Sequence, residues 1–231
     1  MKPIPNIEEP QRYSESSFLD SKFVELTTNE LFEIQMQYPL LKMENAEERC
    51  LVRNEVYRML VEAAHLLPRG YKLKVLDAWR TFALQHELYA LYAANITREF
   101  KLEECTNDQK RAVIRKFVSE PVYDRNVPPV HTTGGAVDVS ILDPEGVELD
   151  MGTEFDAFTD KTYTSYFENK KNDTIKRNRR LLYSIMTESG FTNLPSEWWH
   201  FDYGDMFWAY YKKKPAIYKG VFTREEIYET F

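Results

Sequence analysis

The chain has 231 residues, 43% hydrophobic and 14% aromatic, which indicates a folded core and excludes a disordered protein. Its net charge of −7 argues against nucleic acid as a partner, because phosphate binding requires a positive face. No apolar run is long enough to span a membrane, and the N-terminus MKPIPNIEEPQRY lacks the apolar core of a signal peptide. We therefore expect a cytoplasmic protein without a membrane partner.

The first half of the chain shows mostly helical patterns. Residues 1–45 predict an irregular N-terminal segment with turn-forming residues. Apolar residues at three- and four-residue spacing predict a helix over 46–67, and KLKVLDAW (72–79) alternates like a strand. Helical periodicity returns over TFALQHELYALYAAN (81–95), and a charged helix is predicted over 108–118.

The second half has more strand character. GAVDVSIL (135–142) predicts a β-branched strand, and residues 143–176 predict a long loop, of the length that often carries function. RNRRLLYSIMTESGF (177–191) predicts a helix that ends at a glycine. EWWHFDYG (197–204) and FWAYY (207–211) predict the two strands of a hairpin.

These elements predict an α+β fold in a single domain over residues 1–231. We expect a small antiparallel sheet with helices packed around it, because no repeat, low-complexity stretch or linker divides the chain. Residues 212–231 are predicted to form a C-terminal extension.

The stretch VHTTGGAVDVS holds two potential metal ligands, His131 and Asp138. A zinc site for hydrolysis needs three protein ligands and one open position, and imidazole and carboxylate both suit zinc. Gly134 and Gly135 would let the backbone turn between the two ligands. Taken alone, this stretch favours an ordinary loop that leads into a buried strand over a metal site.

SEWWHF supplies the remaining groups of a zinc site. His200 would be the third ligand, and Glu197, three residues upstream, would be a base that takes a proton from water. Trp198 and Trp199 would form apolar walls that raise the pKa of the carboxyl group. Alone, the segment is consistent with a buried hairpin, but the two motifs together give a complete ligand set with a base.

Three other polar residues each have an interpretation in which they bind no metal. His65 lies in the apolar stripe of a predicted helix, which favours a core or boundary position, and His86 favours a surface or supporting position. Arg80 follows a predicted strand in LDAWR and could stabilise an oxyanion. Its alternative role is a surface salt bridge.

The pattern H-x-x-G-x-A-x-D in HTTGGAVD, followed by EWWH, resembles the zinc D-alanyl-D-alanine dipeptidases of the vancomycin-resistance type. LDAWR, MGTEFDAF and NRRLLYSIMTESGF are also similar to segments of that family. The resemblance implies that His131, Asp138 and His200 bind one zinc ion per chain. It also implies that Glu197 is the catalytic base and that Arg80 stabilises the transition state.

The resemblance also implies how the substrate is bound. Asp156 matches the family acid that pairs with the free amino terminus of the dipeptide, although alone it is consistent with a loop-capping residue. Tyr13 is the position that could match a substrate-contacting tyrosine. The family has serine where this chain has Pro129, so a hydroxyl donor to the substrate is missing.

The function that we expect from the sequence is zinc-dependent hydrolysis of the D-alanyl-D-alanine dipeptide to free D-alanine. One alternative is a zinc D,D-carboxypeptidase that acts on peptidoglycan stem peptides. Another is a binding module that keeps the fold without the chemistry.

Overall fold

The computed structural model describes residues 1–11, 13, 15–115, 118 and 120–228. Its strands are β1 (Phe23–Leu26), β2 (Phe32–Ile34), β3 (Cys50–Arg53), β4 (Lys72–Asp77), β5 (Ala136–Leu142), β6 (Thr192–Asn193) and β7 (His200–Asp202). Its helices are α1 (Gln37–Leu40), α2 (Asn54–His65), α3 (Phe82–Glu99), α4 (Asn107–Ile114), α5 (Asp173–Glu188), α6 (Met206–Lys212) and α7 (Arg224–Tyr228). None of the helices in these residues is long and apolar enough to cross a membrane.

A five-stranded sheet with the order β2-β4-β5-β7-β6 forms the centre of the fold, and β1 pairs separately with β3. All neighbours in the larger sheet are antiparallel except β2 and β4, which are parallel. The predicted α+β class with a small, mainly antiparallel sheet is therefore confirmed. The single domain over 1–231 stays a prediction.

The central strand β5 separates the hydrophobic core from the face that carries polar groups. All of its residues are buried. Val137, Val139 and Ile141 belong to the main core, together with buried side chains of α2 and α5. Because side chains alternate along a strand, Asp138 lies on the opposite face, away from these helices.

Local capping residues explain why several helices begin where they do. The Thr81 side chain accepts a hydrogen bond from the Leu84 amide at the start of α3, which was predicted over 81–95. Thr106 and Gln109 form a capping box at the start of α4. This helix was predicted over 108–118, and part of that stretch, residues 116 and 117, lies outside the described residues.

Two predictions for the N-terminal half were wrong. The helix predicted over 46–67 begins only at Asn54, because Cys50–Arg53 is a fully buried strand that pairs with β1. Residues 1–45 are not uniformly irregular, since they contain β1, β2 and α1. These short strands form only through partners that are distant in sequence, which local patterns do not reveal.

Two predictions for the C-terminal half also need correction. The loop predicted over 143–176 ends earlier, because α5 begins at Asp173. The predicted hairpin is absent from the described residues: β7 pairs with β5 and β6, and the FWAYY stretch lies in α6. Asp205 causes this outcome, because its side chain accepts hydrogen bonds from the amides of Phe207 and Trp208 at 2.9 and 3.0 Å and so starts a helix.

The predicted C-terminal extension, 212–231, packs against the body of the protein over its described part. Val221 and Ile227 share a buried cluster with Trp79 and two other apolar side chains. The Trp79 indole also donates a hydrogen bond to the Val221 carbonyl at 2.8 Å. This segment therefore covers the strand end that leads to Arg80.

Candidate metal centre and substrate cavity

Three neighbouring strands place the polar groups of the site side by side. Asp138 on the central strand β5 lies opposite His200 on β7 and opposite Asp77 on β4. The pairing of β4 with β5 is regular as far as Val75 and then shifts by one residue. Without that bulge Asp77 would face the hydrophobic core, because a slip of one residue moves a side chain to the other face of a sheet.

His131 reaches the same face from a 3-10 turn, Val130–Thr133, that precedes β5. Gly134 ends the turn with φ of 74°, and a Cβ atom there would lie 2.3 Å from the Phe23 ring. Only glycine can adopt this positive φ and also leave room for the Phe23 ring without strain. The buried Arg53 holds the end of the turn by donating a hydrogen bond to the Thr133 carbonyl at 2.8 Å.

The nitrogen and oxygen atoms of the three predicted ligands converge. His131 Nε2 lies 3.1 Å from His200 Nδ1 and 3.5 Å from Asp138 Oδ2, and His200 Nδ1 lies 3.1 Å from Asp138 Oδ1. All three residues are buried, and one atom from each lies within 4.8 Å of the others. The structure therefore brings His131, Asp138 and His200 together as one candidate metal centre.

In each histidine, one ring nitrogen is held by a hydrogen-bond acceptor outside the metal centre. This contact leaves the other ring nitrogen free to bind a metal. His131 Nδ1 lies 2.8 Å from the Ala78 carbonyl, and His200 Nε2 lies 2.7 Å from Asp202 Oδ1. A carbonyl or carboxylate oxygen only accepts, so we assign the ring hydrogens to these two nitrogens. The remaining lone pairs of both rings then face the Asp138 carboxylate, an arrangement that a bound metal ion would stabilise.

The donor set fits a zinc ion. Zinc–nitrogen bonds of about 2.0–2.1 Å in a tetrahedron require donor atoms roughly 3.3–3.4 Å apart. The observed separations of 3.1 to 3.5 Å are close to that distance. Both rings are also oriented by a second hydrogen bond, as is usual for metal-binding histidines.

Glu197 stands beside the metal centre at the wall of a cavity. Its Oε2 atom lies 3.8 Å from His200 Nδ1, and its side chain is 32% exposed. Burial raises the pKa of Glu197 to about 8; Asp138 adds to this effect and His200 opposes it. A carboxyl group with a pKa near neutrality can both accept and donate a proton under physiological conditions.

Arg80 is buried in an ion-pair network, so the surface salt bridge considered as an alternative is wrong. Its guanidinium contacts Asp77 Oδ2 at 2.6 and 2.7 Å and Asp138 Oδ2 at 3.4 Å. Gln85 accepts a further hydrogen bond at 3.3 Å, and the Tyr38 ring lies under the guanidinium at 5.0 Å. These contacts place a fixed positive charge next to the metal centre.

Asp156 forms a second polar site in the same cavity. Its Oδ2 atom accepts hydrogen bonds from the Tyr38 and Tyr92 hydroxyls at 2.7 and 2.6 Å. Burial raises the pKa of Asp156, and the two hydroxyls oppose that effect. The residue has φ of 57°, a left-handed conformation that is uncommon for residues other than glycine.

One cavity of about 700 Å³ connects these groups. Its lining includes six of the seven residues that were predicted to bind zinc or substrate or to act in catalysis, namely Arg80, His131, Asp138, Asp156, Glu197 and His200. Pro129 also lines the cavity, so no hydroxyl is available at that position.

The structure does not bring Tyr13 to this group. Tyr13 packs against the cluster of Trp208, Ala209 and Ala216, while Glu9 and Pro10 are the N-terminal residues that line the cavity. His65 was expected in a core or boundary position but is exposed at the end of α2. His86 is exposed, and it too is absent from the cavity lining within the described residues.

Sequence analysis missed four residues that contact the site residues directly. Asp202 had a readable signal, because the alternation of His200 and Asp202 in a strand places both side chains on one face. Asp77 had none, because it reaches this face only through the bulge. Tyr38 and Tyr92 come from α1 and α3, and only the folded chain brings both to Asp156.

The fold and the site together define a metallohydrolase-type centre: a His-Asp-His ligand set, an adjacent carboxyl group and a buried arginine. The profile of the D-Ala-D-Ala dipeptidase family, Peptidase_M15, matches residues 40–218. The chain therefore belongs to this family, as the sequence motifs predicted.

Two relatives carry the name D-alanyl-D-alanine dipeptidase. The relative from Synechocystis sp. is 31% identical over 155 residues, which cover 61% of this chain and 63% of that protein. The relative from Escherichia coli K12 is 35% identical over 96 residues, which cover 41% of this chain and 49% of that protein. The chain thus aligns with less than two thirds of the length of either relative.

Two solved structures match part of the chain at low identity. One is the vancomycin-resistance D,D-pentapeptidase VanY in complex with Zn(II), at 17% identity and a TM-score of 0.40 over 75% of this chain and 85% of that chain. The other is VanYB in complex with D-alanine-D-alanine, at 18% identity and a TM-score of 0.41 over 75% of this chain and 84% of that chain.

Proposed function

We propose that the chain is a zinc-dependent dipeptidase that hydrolyses D-alanyl-D-alanine to two molecules of D-alanine. One zinc ion per chain would be held by His131, Asp138 and His200. The observation that carries the proposal is the meeting of this ligand set, Glu197 and Asp156 in one cavity. Family membership and the names of the two relatives support the choice of substrate.

Glu197 has the position and the pKa of a group that moves a proton. When bound, zinc supplies Lewis-acid polarisation and makes a water molecule more acidic. Glu197 takes a proton from the attacking water and later donates it to the leaving amine. Its partial exposure at the cavity wall allows contact with the substrate, and burial, which raises its pKa, favours return of the proton.

Arg80 and Asp156 act on different parts of the substrate. Arg80 donates a hydrogen bond to the oxygen that becomes negatively charged when water attacks the scissile carbonyl. Asp156 pairs with the free amino terminus of the dipeptide, since a desolvated carboxylate that accepts two hydroxyl hydrogen bonds favours a cationic partner. An acylated amino terminus has no charge to pair with it, so the site selects short peptides with a free amine.

The test measures D-alanine released by zinc-loaded protein from D-Ala-D-Ala and from its N-acetyl derivative. Glu197→Gln is the variant, and Glu188→Gln, an exposed glutamate on α5, is the matched control. We expect Glu197→Gln to lose about 10²- to 10⁴-fold in kcat while keeping its zinc. The wild type and Glu188→Gln should cleave the free dipeptide and spare the acetylated one.

Other outcomes separate the alternatives. Cleavage of a stem pentapeptide but not of the dipeptide would support a D,D-carboxypeptidase in place of a dipeptidase. Zinc binding without hydrolysis of either peptide would support a non-catalytic binding module. Near-full activity of zinc-loaded Glu197→Gln would show that another group moves the proton.

A further inference from the structure

Arg179 is a buried cation whose hydrogen-bond acceptors are all backbone carbonyls. It lies on α5 and is only 2% exposed. Its Nε donates to the Met151 carbonyl at 2.7 Å, one terminal nitrogen donates to the Tyr163 carbonyl at 2.6 Å, and the other donates to the Lys161 carbonyl at 2.7 Å. No salt bridge involving Arg179 occurs among the described residues, so its role is not that of a buried ion pair.

The three carbonyls mark the two ends of one segment. Residues 151–163, which we name the anchor segment, carry Asp156 near their middle. Met151 is at one end, and Lys161 and Tyr163 are at the other, so a single guanidinium holds both ends. A planar group with donors in fixed directions can bridge three carbonyls in this way, whereas a lysine ammonium is a point charge on a flexible chain.

The same guanidinium links the anchor segment to the catalytic wall. Arg179 lies over the rings of Phe167 and Trp198, at 4.8 and 5.9 Å from their centroids. Trp198 follows Glu197 directly, its indole donates to Thr153 Oγ1 at 2.8 Å, and its amide donates to the Thr162 carbonyl at 3.0 Å. The segment with Asp156 and the segment with Glu197 are thus fixed against each other.

The conformation of Asp156 requires such support. A left-handed backbone is less favourable for residues other than glycine, so surrounding contacts help to hold it in place. The Tyr38 and Tyr92 hydroxyls hold the carboxylate, and aromatic contacts hold the middle of the segment. The hydrogen bonds from Arg179 add a restraint on its backbone at both ends. Burial lowers the pKa of Arg179 to about 9, with nearby Asp150 opposing the shift, so the group remains cationic at neutral pH.

We propose that Arg179 is a positioning residue for substrate recognition: it fixes the anchor segment so that Asp156 meets the amino terminus of the dipeptide. The proposal rests on the proposed function, because it assumes that Asp156 binds that amine. Arg179 itself does not touch the cavity; it is absent from the cavity lining among the described residues. Its effect should therefore appear in KM and in selectivity, and not in metal binding.

The test compares Arg179→Lys with Arg177→Lys, a matched control at an exposed arginine of the same helix. The assay measures kcat and KM for D-Ala-D-Ala, the rate with the N-acetyl dipeptide, and zinc content. We expect Arg179→Lys to raise KM about 10- to 100-fold, because misplacing a binding group by about 1 Å has effects of that size. Zinc content and kcat should stay within about twofold of the wild type, and the preference for a free amine should fall with the rise in KM.

KM does not depend on how much of the enzyme is folded, so partial unfolding of Arg179→Lys leaves this readout valid. Thr153→Val removes the hydrogen-bond acceptor for Trp198 and gives a second, independent loosening of the anchor segment, with a smaller expected rise in KM. Unchanged KM and selectivity in both variants would overturn the proposal. If the wild type cleaved the free and the acetylated dipeptide equally, the proposed binding of the amine by Asp156 would be wrong, whatever the Arg179 variant does. This result is therefore distinct from a failure of the Arg179 proposal alone.

Discussion

Asp202 is the residue through which the His200 assignment can be tested most directly. Its Oδ1 atom accepts a hydrogen bond from His200 Nε2 at 2.7 Å, and the residue is fully buried. This contact keeps the ring hydrogen on Nε2 and leaves Nδ1 free to bind the metal. Asp202→Ala removes the contact, whereas Asp202→Asn keeps an oxygen acceptor of similar size but loses the negative charge.

The expected loss of zinc affinity follows from the loss of the hydrogen bond between Asp202 and His200. Loss of such a partner typically weakens metal binding about 10- to 100-fold, which corresponds to ~1.4–2.7 kcal/mol at 25 °C. Asp202→Ala should lie at the upper end of this range, because the His200 ring in this variant can turn or can carry its hydrogen on Nδ1. Asp202→Asn should lie at the lower end, since hydrogen bonds to charged acceptors are roughly twice as strong as neutral ones.

The assay is the zinc dissociation constant, measured by competition with a chromophoric chelator at fixed pH. Asp173→Ala serves as the control, because its side chain is 84% exposed at the start of α5. The control should bind zinc as tightly as the wild type. Equal zinc affinity of the wild type, Asp202→Asn and Asp202→Ala would refute the role of Asp202 and the choice of Nδ1 as the ligand atom.

Two further predictions concern the turn before β5 and the amine site. Gly134→Ala should lower the free energy of unfolding by about 2–4 kcal/mol, because the new Cβ meets the Phe23 ring in addition to adopting a left-handed conformation. Gly146→Ala has φ of 80° but open space around it, so urea denaturation should show a loss of only about 1–2 kcal/mol; equal losses at both sites would contradict the steric argument. Asp156→Asn should raise KM for D-Ala-D-Ala about 10- to 100-fold through loss of a charge-assisted contact. Steady-state kinetics with the free and N-acetylated dipeptides check this, and an unchanged preference for the free amine would contradict it.

Sequence patterns predicted that His131, Asp138 and His200 would come together, because few residue types bind metals and the motifs resembled those of a known family. They also located β4, β5 and the longest helix. The patterns failed where contacts with other residues decide the secondary structure. The FWAYY stretch has strand-forming residues, but the Asp205 side chain starts a helix there. Cys50–Arg53 has helical spacing but pairs with β1.

The supporting residues of the site were harder to predict than the ligands. Asp77 follows the alternation of a strand and should point into the hydrophobic core, but the bulge after Val75 turns it toward Asp138. A one-residue irregularity of this kind depends on both strands and leaves no mark in local sequence. Arg179 lies in the charged sequence KRNRR, and only the folded loop supplies its three carbonyl partners.

The layout of the metal centre across β5 and β7 has a consequence for biosynthesis. His131 and His200 are 69 residues apart in the chain, and they meet only after β7 has joined the sheet. During translation the ribosome delivers His131 and Asp138 well before His200, so the growing polypeptide lacks the third ligand. Under the proposed function, tight capture of zinc would therefore be a late event that follows closure of the sheet, and the metal would lock a topology that has already formed.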